Sequence, residues 1–188
     1  VRHIARDQHV GFDKVDVVKD IIDAIRPLER KPATAFRGDI LNTSNTAFVE
    51  DLKHAALIVD ATTTLEVPRE LARRDDVPRC VSVFLTPSGR ASTMLFEDDS
   101  RGVRLDELEA QYYGAILAER WGEDHLAGHQ GELWVGAGCR DISAVLSNEL
   151  VQLHASILAR QVRRSSSSPE AKICVWIADD ATSAVRFV

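Results

Sequence analysis

The order of apolar and polar positions along the chain predicts an α/β fold. Apolar residues recur every three or four positions in several stretches, which is the period of a helix with one buried face. Short runs rich in β-branched residues separate these stretches and are typical of strands. Helices are expected over residues 15–25, 47–54, 65–74 and 105–116, and strands over 33–36, 57–60, 80–85 and 92–97. Because helices and strands alternate, we expect a Rossmann-like, partly parallel sheet with crossover helices.

The second half of the chain predicts antiparallel strands and one long helix. The turn residues Pro87–Ser88–Gly89 lie between two strand patterns, which indicates a hairpin. Residues 122–138 carry several glycines and no clear period, so we expect a long surface loop there. A strong helical pattern follows over residues 142–162, with Asp141 placed to cap it.

The C-terminal composition suggests a division of the chain. Residues 163–170 contain four consecutive serines and a proline, which is typical of a flexible linker. Two alternating segments within 171–188 predict a terminal β-hairpin that packs on the same domain. We therefore expect one domain over residues 1–162, a linker, and a C-terminal hairpin.

Composition and charge narrow the function class. The chain has 188 residues, 45% of them hydrophobic, and a formal net charge of −6. An acidic balance argues against nucleic-acid binding, and no apolar stretch approaches the roughly 20 residues that cross a bilayer. Three separated cysteines, Cys80, Cys139 and Cys174, form neither a disulfide framework nor a zinc pair. We expect a cytoplasmic protein with reduced thiols and no membrane or nucleic-acid partner.

The end of the second predicted strand is the strongest candidate site. The apolar run 57–59 ends abruptly in Asp60 and is followed by small hydroxylated residues. The carboxyl ends of parallel strands form the ligand-binding edge of such sheets, so Asp60 is placed for phosphate or metal chemistry. Lys14 begins the first predicted helix, where free backbone N–H groups can meet phosphate oxygens, and Arg2 precedes it. Together Arg2, Lys14 and Asp60 suggest a nucleotide–metal site.

Each candidate also has a simpler interpretation. Lys14 is equally consistent with a solvated lysine, and Arg2 with a mobile terminal residue. Cys139 lies just before the expected cap of the long helix and next to Arg140, a setting that favours a reactive thiolate. The alternative is a loop thiol packed between glycines, and the sequence leaves both interpretations open.

Several motifs, in this order, resemble one family. They are Arg2–His3, Gly11-x-x-Lys14, the strand ending Val59–Asp60–Ala61–Thr62, and Arg69. This order is similar to the second half of the ThiF/MoeB/HesA superfamily of ubiquitin-activating-like adenylation enzymes. Later blocks, including Gly138–Cys139–Arg140–Asp141, resemble bacterial members fused to a ubiquitin-conjugating-like domain.

The resemblance implies a function and roles for four residues. Such enzymes use MgATP to adenylate the C-terminal carboxylate of a ubiquitin-like or sulfur-carrier protein. Arg2 and Lys14 would contact the ATP phosphates, Asp60 would hold Mg²⁺, and Cys139 is the candidate for a subsequent thioester.

The glycine-rich ATP loop of that family should precede Arg2 and is not present. We therefore interpret the chain, which begins at Val1 without methionine, as a fragment that lacks the N-terminal half of the domain. We expect the fragment alone to bind ATP poorly and to be inactive. Two alternatives stay open: part of an NAD-type Rossmann dehydrogenase, or a non-catalytic dimerisation module. A homodimer is expected.

Overall fold

The structure of the protein, a computed structural model, contains five α-helices and seven strands within the residues it describes. The described residues are 9–25, 32–42, 44–62, 64–128, 131, 133–135, 142–179, 181–182 and 184–188. The helices are α1 (Lys14–Ile25), α2 (Thr46–Lys53), α3 (Glu66–Arg73), α4 (Leu105–Ala118) and α5 (Asn148–Ser165). The strands are β1 (Ile58–Asp60), β2 (Cys80–Leu85), β3 (Ala91–Phe96), β4 (Leu133–Val135), β5 (Ile142–Ala144), β6 (Lys172–Ala178) and β7 (Val185–Phe187).

The strands form one mixed five-stranded sheet and one separate pair. The order in the large sheet is β1-β2-β3-β6-β7, and β4 pairs with β5. Only β1 and β2 are parallel, and α3 connects them; the other neighbours are antiparallel. The chain is therefore α/β, with a parallel pair at one edge of the sheet, as the alternation of elements predicted. The hairpins β2–β3 and β6–β7 are also confirmed.

Helices cover both faces of the sheet. On one face, α3 and α4 pack against the sheet through the buried residues Val67, Leu71, Ala72, Leu105, Leu108, Tyr112 and Ile116. On the other face, Leu158 of α5 packs against Val81, Met94, Phe96, Cys174 and Trp176. The core thus lies in two layers, one on each side of the strands. None of the described helices is long and apolar enough to cross a membrane.

The central strand β3 carries polar contacts to both faces. All six of its residues are buried. The Ser92 hydroxyl and His154 Nδ1 of α5 are 2.8 Å apart, while the Thr93 hydroxyl donates to the Tyr112 hydroxyl of α4 at 3.4 Å. The Tyr112 hydroxyl also lies 2.7 Å from His125 Nε2. Because side chains alternate along a strand, neighbouring residues of β3 tie two helices to opposite faces.

A buried ion pair, the Glu97–Arg101 junction, joins α3, β2 and α4. The Glu97 side chain is fully buried, and its Oε2 accepts hydrogen bonds from Arg101 Nε at 2.8 Å and from Cys80 N at 2.9 Å. Its Oε1 accepts from Leu105 N at 3.1 Å, at the start of α4. The Arg101 guanidinium also donates to three carbonyl oxygens at or after the C-terminal end of α3: Leu71, Arg74 and Val77. The junction therefore satisfies backbone groups from three elements at once.

One predicted strand does not form. Residues 33–36 have no regular secondary structure, and the Ala33 amide donates to the Asp23 carboxylate of α1 at 2.7 Å. A strand requires a neighbour to accept its backbone hydrogen bonds, and within the described residues no strand lies beside this segment. The local β propensity of Ala33–Phe36 was therefore misleading.

The last helix begins later than predicted. Residues 142–144 form β5, and α5 starts at Asn148 after the cap Ser147, whose hydroxyl accepts from Leu150 N at 3.3 Å. Asp141 lies outside the described residues. Ile142 and Leu146 extend the helical period of Leu150 and Leu153, although a short strand and three residues without regular structure precede the helix. The expected loop over 122–138 likewise contains β4 and the buried His125.

The serine-rich segment is partly helical and is bonded to the sheet. Helix α5 continues through Ser165, where a linker was expected from residue 163. Arg79, just before β2, donates to the carbonyl oxygens of Ser168 at 2.7 Å and Glu170 at 3.0 Å. The Asp99 amide donates to the Pro169 carbonyl at 2.9 Å. Composition alone did not reveal these backbone contacts.

Candidate functional site

Asp60 lies at the C-terminal end of the parallel strand pair. It is the last residue of β1 and is only 4% exposed. Ile58, two positions earlier, is also buried and packs in the core beneath α3 and α4, whereas the intervening Val59 is 51% exposed. Since side chains alternate along a strand, Asp60 points to the same covered face as Ile58. Asp60 therefore ends the strand, as the sequence predicted, and the structure in addition buries its side chain.

Three neutral donors hold the Asp60 carboxylate. Its Oδ1 accepts from the Thr62 amide at 3.0 Å and from the Thr62 hydroxyl at 2.7 Å. Its Oδ2 accepts from the Ser82 hydroxyl of β2 at 2.7 Å. The contacts to Thr62 form a local turn in which an aspartate bonds to the backbone two residues on. The carboxylate is therefore fixed from both sides by groups that carry no charge.

The described part of the chain offers Asp60 no positive charge. Asp60 forms no ion pair with any lysine or arginine there, and its hydrogen-bond partners are Thr62 and Ser82. The other deeply buried acid, Glu97, has the guanidinium of Arg101 beside it. Burial of an ionised carboxylate is costly unless an opposite charge or several hydrogen bonds compensate for the lost water. Among the described residues the two buried acids therefore differ in their partners, which are a guanidinium for Glu97 and three neutral donors for Asp60.

Asp60 is a single carboxylate, and this limits how it could bind magnesium. Among the described residues, no group of three histidine, cysteine, aspartate or glutamate side chains could hold a metal ion. Mg²⁺ commonly binds through one or two carboxylates, with water and substrate phosphates completing its shell. Asp60 alone therefore fits an ion that is carried mainly by nucleotide phosphates, and does not fit an all-protein metal cage.

Lys14 is the first residue of α1 and is exposed. It forms no ion pair within the described ranges and is not a partner of Asp60. Two acids of the same turn, Asp13 and Asp16, both pair with Arg37, at 2.8 Å in the case of Asp13. Two carboxylates therefore lie in the N-terminal turn of α1 beside Lys14, which makes this turn a poorer anion site than the sequence suggested.

Two further candidates, Arg2 and Cys139, lie outside the described residues. Arg69, which belongs to the resembling motif, is on α3. Its guanidinium makes a two-point ion pair with Glu109 of α4, with Nε–Oε2 and Nη2–Oε1 distances of 2.8 Å. Arg69 thus connects two helices on one face of the sheet.

The two cysteines of the sheet are buried and free, as their strand positions predicted. Burial, with a smaller contribution from nearby Glu97, raises the pKa of the Cys80 thiol to about 12. Burial also raises the pKa of Cys174. Both thiols therefore stay protonated near neutral pH and act as small hydrophobic side chains rather than nucleophiles.

Sequence reasoning missed Ser82 and the role of Thr62. The only signal was a hydroxyl residue inside the apolar run 80–85, at the position that lies opposite Asp60 once the two strands are aligned in parallel. That alignment was not deducible before the pairing was known.

The buried pair Tyr112–His125 was also missed, because a glycine-rich context suggested a solvated loop. Burial lowers the pKa of His125 and raises that of Tyr112 to about 12.

Comparison with known proteins adds no family. No protein-family model matches the chain, and no curated protein matches it. The fold and the surroundings of Asp60 therefore carry the functional argument.

Proposed function

We propose that this chain is the C-terminal part of a ThiF-like adenylation domain. Such a domain adenylates the C-terminal carboxylate of a ubiquitin-like or sulfur-carrier protein with MgATP. The observation that carries the proposal is the buried carboxylate of Asp60, which ends a parallel strand and has no cationic partner in the described chain. The parallel pair followed by antiparallel strands, with helices on both faces, also agrees with that architecture.

In the proposed reaction, the protein carboxylate attacks the α-phosphorus of ATP and pyrophosphate leaves. Both reactants are negatively charged, so the site must supply positive charge. A magnesium ion bound at Asp60 would offset the charge of the phosphates. Lys14 and Arg2 would contact phosphate oxygens, and the residues that surround Asp60 would keep its carboxylate in place. If Cys139 is the nucleophile, its thiolate attacks the acyl adenylate and releases AMP with formation of a thioester.

The proposal includes a cytoplasmic location and a homodimer. The two described cysteines are unpaired, which is compatible with a reducing compartment.

A pyrophosphate-exchange assay tests the proposed function. It uses the full-length polypeptide that contains this chain, with ATP, Mg²⁺ and candidate carrier proteins. Asp60→Ala is expected to lower exchange on the order of 10²–10³-fold, the cost of removing one group that stabilises transition-state charge. Asp51→Ala, an exposed acid on α2, is the control and should exchange normally. Normal exchange by Asp60→Ala would disprove the assigned role.

Two further measurements separate the remaining hypotheses. Cys139→Ala should still exchange pyrophosphate but lose a reducible conjugate with the carrier protein. Persistence of that conjugate would rule out the thioester at Cys139. Tight binding of NAD⁺ without any ATP-dependent exchange would instead favour the dehydrogenase alternative, in which Asp60 would hold a ribose hydroxyl.

A further inference from the structure

Ser82 and Asp60 are placed opposite each other by the strand ladder. The parallel pairing aligns Ile58 with Cys80, Val59 with Val81 and Asp60 with Ser82. Ser82 and Asp60 are each only 4% exposed, and their side chains meet at 2.7 Å. The backbone pairing brings the two residues side by side, and their side-chain conformations complete the contact. The contact therefore lies between two buried side chains on paired strands, not on the protein surface.

The hydrogen bonds use the two carboxylate oxygens unequally. An ionised carboxylate has about four acceptor positions, two on each oxygen. Thr62 fills two of them on Oδ1, with its amide and its hydroxyl. Ser82 fills one on Oδ2. Among the contacts of the described residues, one acceptor position is left, and it belongs to Oδ2.

We propose that Ser82 is a positioning residue that orients Asp60 so that Oδ2 is the oxygen presented to a divalent cation. This inference rests on the cation role of Asp60 in the proposed function. Thr62 keeps Oδ1 occupied, so the carboxylate binds the ion through a single oxygen. Ser82 itself does not touch the ion; it holds the plane of the carboxylate. Groups that orient a metal ligand in this way typically affect metal affinity by roughly 10–100-fold.

The alternative is that Ser82 only satisfies a buried acid. Loss of its hydroxyl would then lower stability without a specific effect on metal binding. A suitable control is Ser92 of β3, which is likewise buried and bonds to His154 instead of Asp60. Replacement of either serine by alanine removes one buried hydroxyl from the same sheet, but only Ser82→Ala changes the support of Asp60.

The test measures binding of Mn²⁺, a paramagnetic substitute for Mg²⁺, to the full-length polypeptide in the presence of ATP. Free Mn²⁺ is followed by electron paramagnetic resonance. We expect Ser82→Ala to weaken Mn²⁺ binding roughly 10–100-fold, and Ser82→Thr, which keeps a hydroxyl, to restore most of the affinity. Ser92→Ala should bind Mn²⁺ like the wild type. Thermal melts of all variants show whether each is folded at the temperature of the titration.

Three results would overturn the inference. They are unchanged Mn²⁺ affinity in Ser82→Ala, an equal loss in Ser82→Ala and Ser92→Ala, and binding that is insensitive to Asp60→Ala. Pyrophosphate exchange separates this inference from the proposed function. If Asp60→Ala abolishes exchange but Ser82→Ala leaves the Mn²⁺ affinity unchanged, the positioning role is wrong and the proposed function stands. Mn²⁺ binding that requires both residues, without any exchange, supports the positioning role and removes the adenylation proposal.

Discussion

Replacement of Arg101 by methionine should strongly destabilise the fold. Methionine keeps much of the apolar stem but removes the guanidinium, so Glu97 would be left fully buried and without a counter-charge. Breaking a buried pair by removing one partner costs about 3–5 kcal/mol. The carbonyl oxygens of Leu71, Arg74 and Val77 would also lose a donor, which places the expected loss at the upper end of that range. Such a loss is a large share of the roughly 5–15 kcal/mol that stabilises a typical domain.

Urea denaturation followed by tryptophan fluorescence measures this loss. Arg69→Met is the matched control, because it breaks a two-point ion pair with Glu109 whose arginine and glutamate side chains are 45% and 13% exposed, against 9% and 0% for Arg101 and Glu97. Exposed pairs contribute about 0–1 kcal/mol, so the control should lose far less. Adding Glu97→Gln to Arg101→Met should recover part of the stability, because it removes the stranded charge. If Arg101→Met loses no more than Arg69→Met, the account of the junction is wrong.

Two further predictions concern a pair of glycines and the buried histidines. Gly122→Ala should destabilise the protein by about 1–3 kcal/mol, since a Cβ there would lie 2.0 Å from the Ile116 carbonyl oxygen. Gly114→Ala, in open space on α4, should instead stabilise it by about 0.8–1.0 kcal/mol; equal effects in urea denaturation would contradict this. Burial lowers the pKa of His125 and His154 below 6.5, so their contribution to stability is present above pH 6.5 and is lost as the pH falls below it. The unfolding free energy should therefore fall between pH 7.5 and 5.5, by at most about 1.4 kcal/mol per pH unit for each histidine, and unchanged stability would refute this.

The fold was predictable where a helix has one apolar face that packs against the core. In α4, Leu105, Leu108, Tyr112 and Ile116 gave a helical stripe, and the structure buries all four. The prediction failed where an element depended on a partner distant in sequence. Residues 33–36 had strand propensity but have no neighbouring strand in the described sheet.

For the candidate site, the sequence located Asp60 but not its surroundings. The apolar run that ends in an acid is a local pattern and can be read directly. The bond to Ser82 depends on the register of two strands separated by a helix, and no local pattern encodes that register. Likewise, the pairing of Arg37 with Asp13 and Asp16 depends on how a segment without regular structure folds back onto α1. Contacts of this kind, between residues distant in sequence, set the charge around Lys14.

The two neighbouring hydroxyls of β3 have a consequence for how the sheet assembles. A slip of one residue would turn Ser92 toward α4 and Thr93 toward α5, because the side-chain period of a strand is two. One of the two helix side chains would then lose its hydroxyl partner, because Met94 would face Tyr112 after a slip in one direction and Ala91 would face His154 after a slip in the other. An apolar strand of the same length would lose no side-chain hydrogen bond of this kind in such a shift. The two hydroxyls therefore make a sheet with the wrong register less stable than the native sheet.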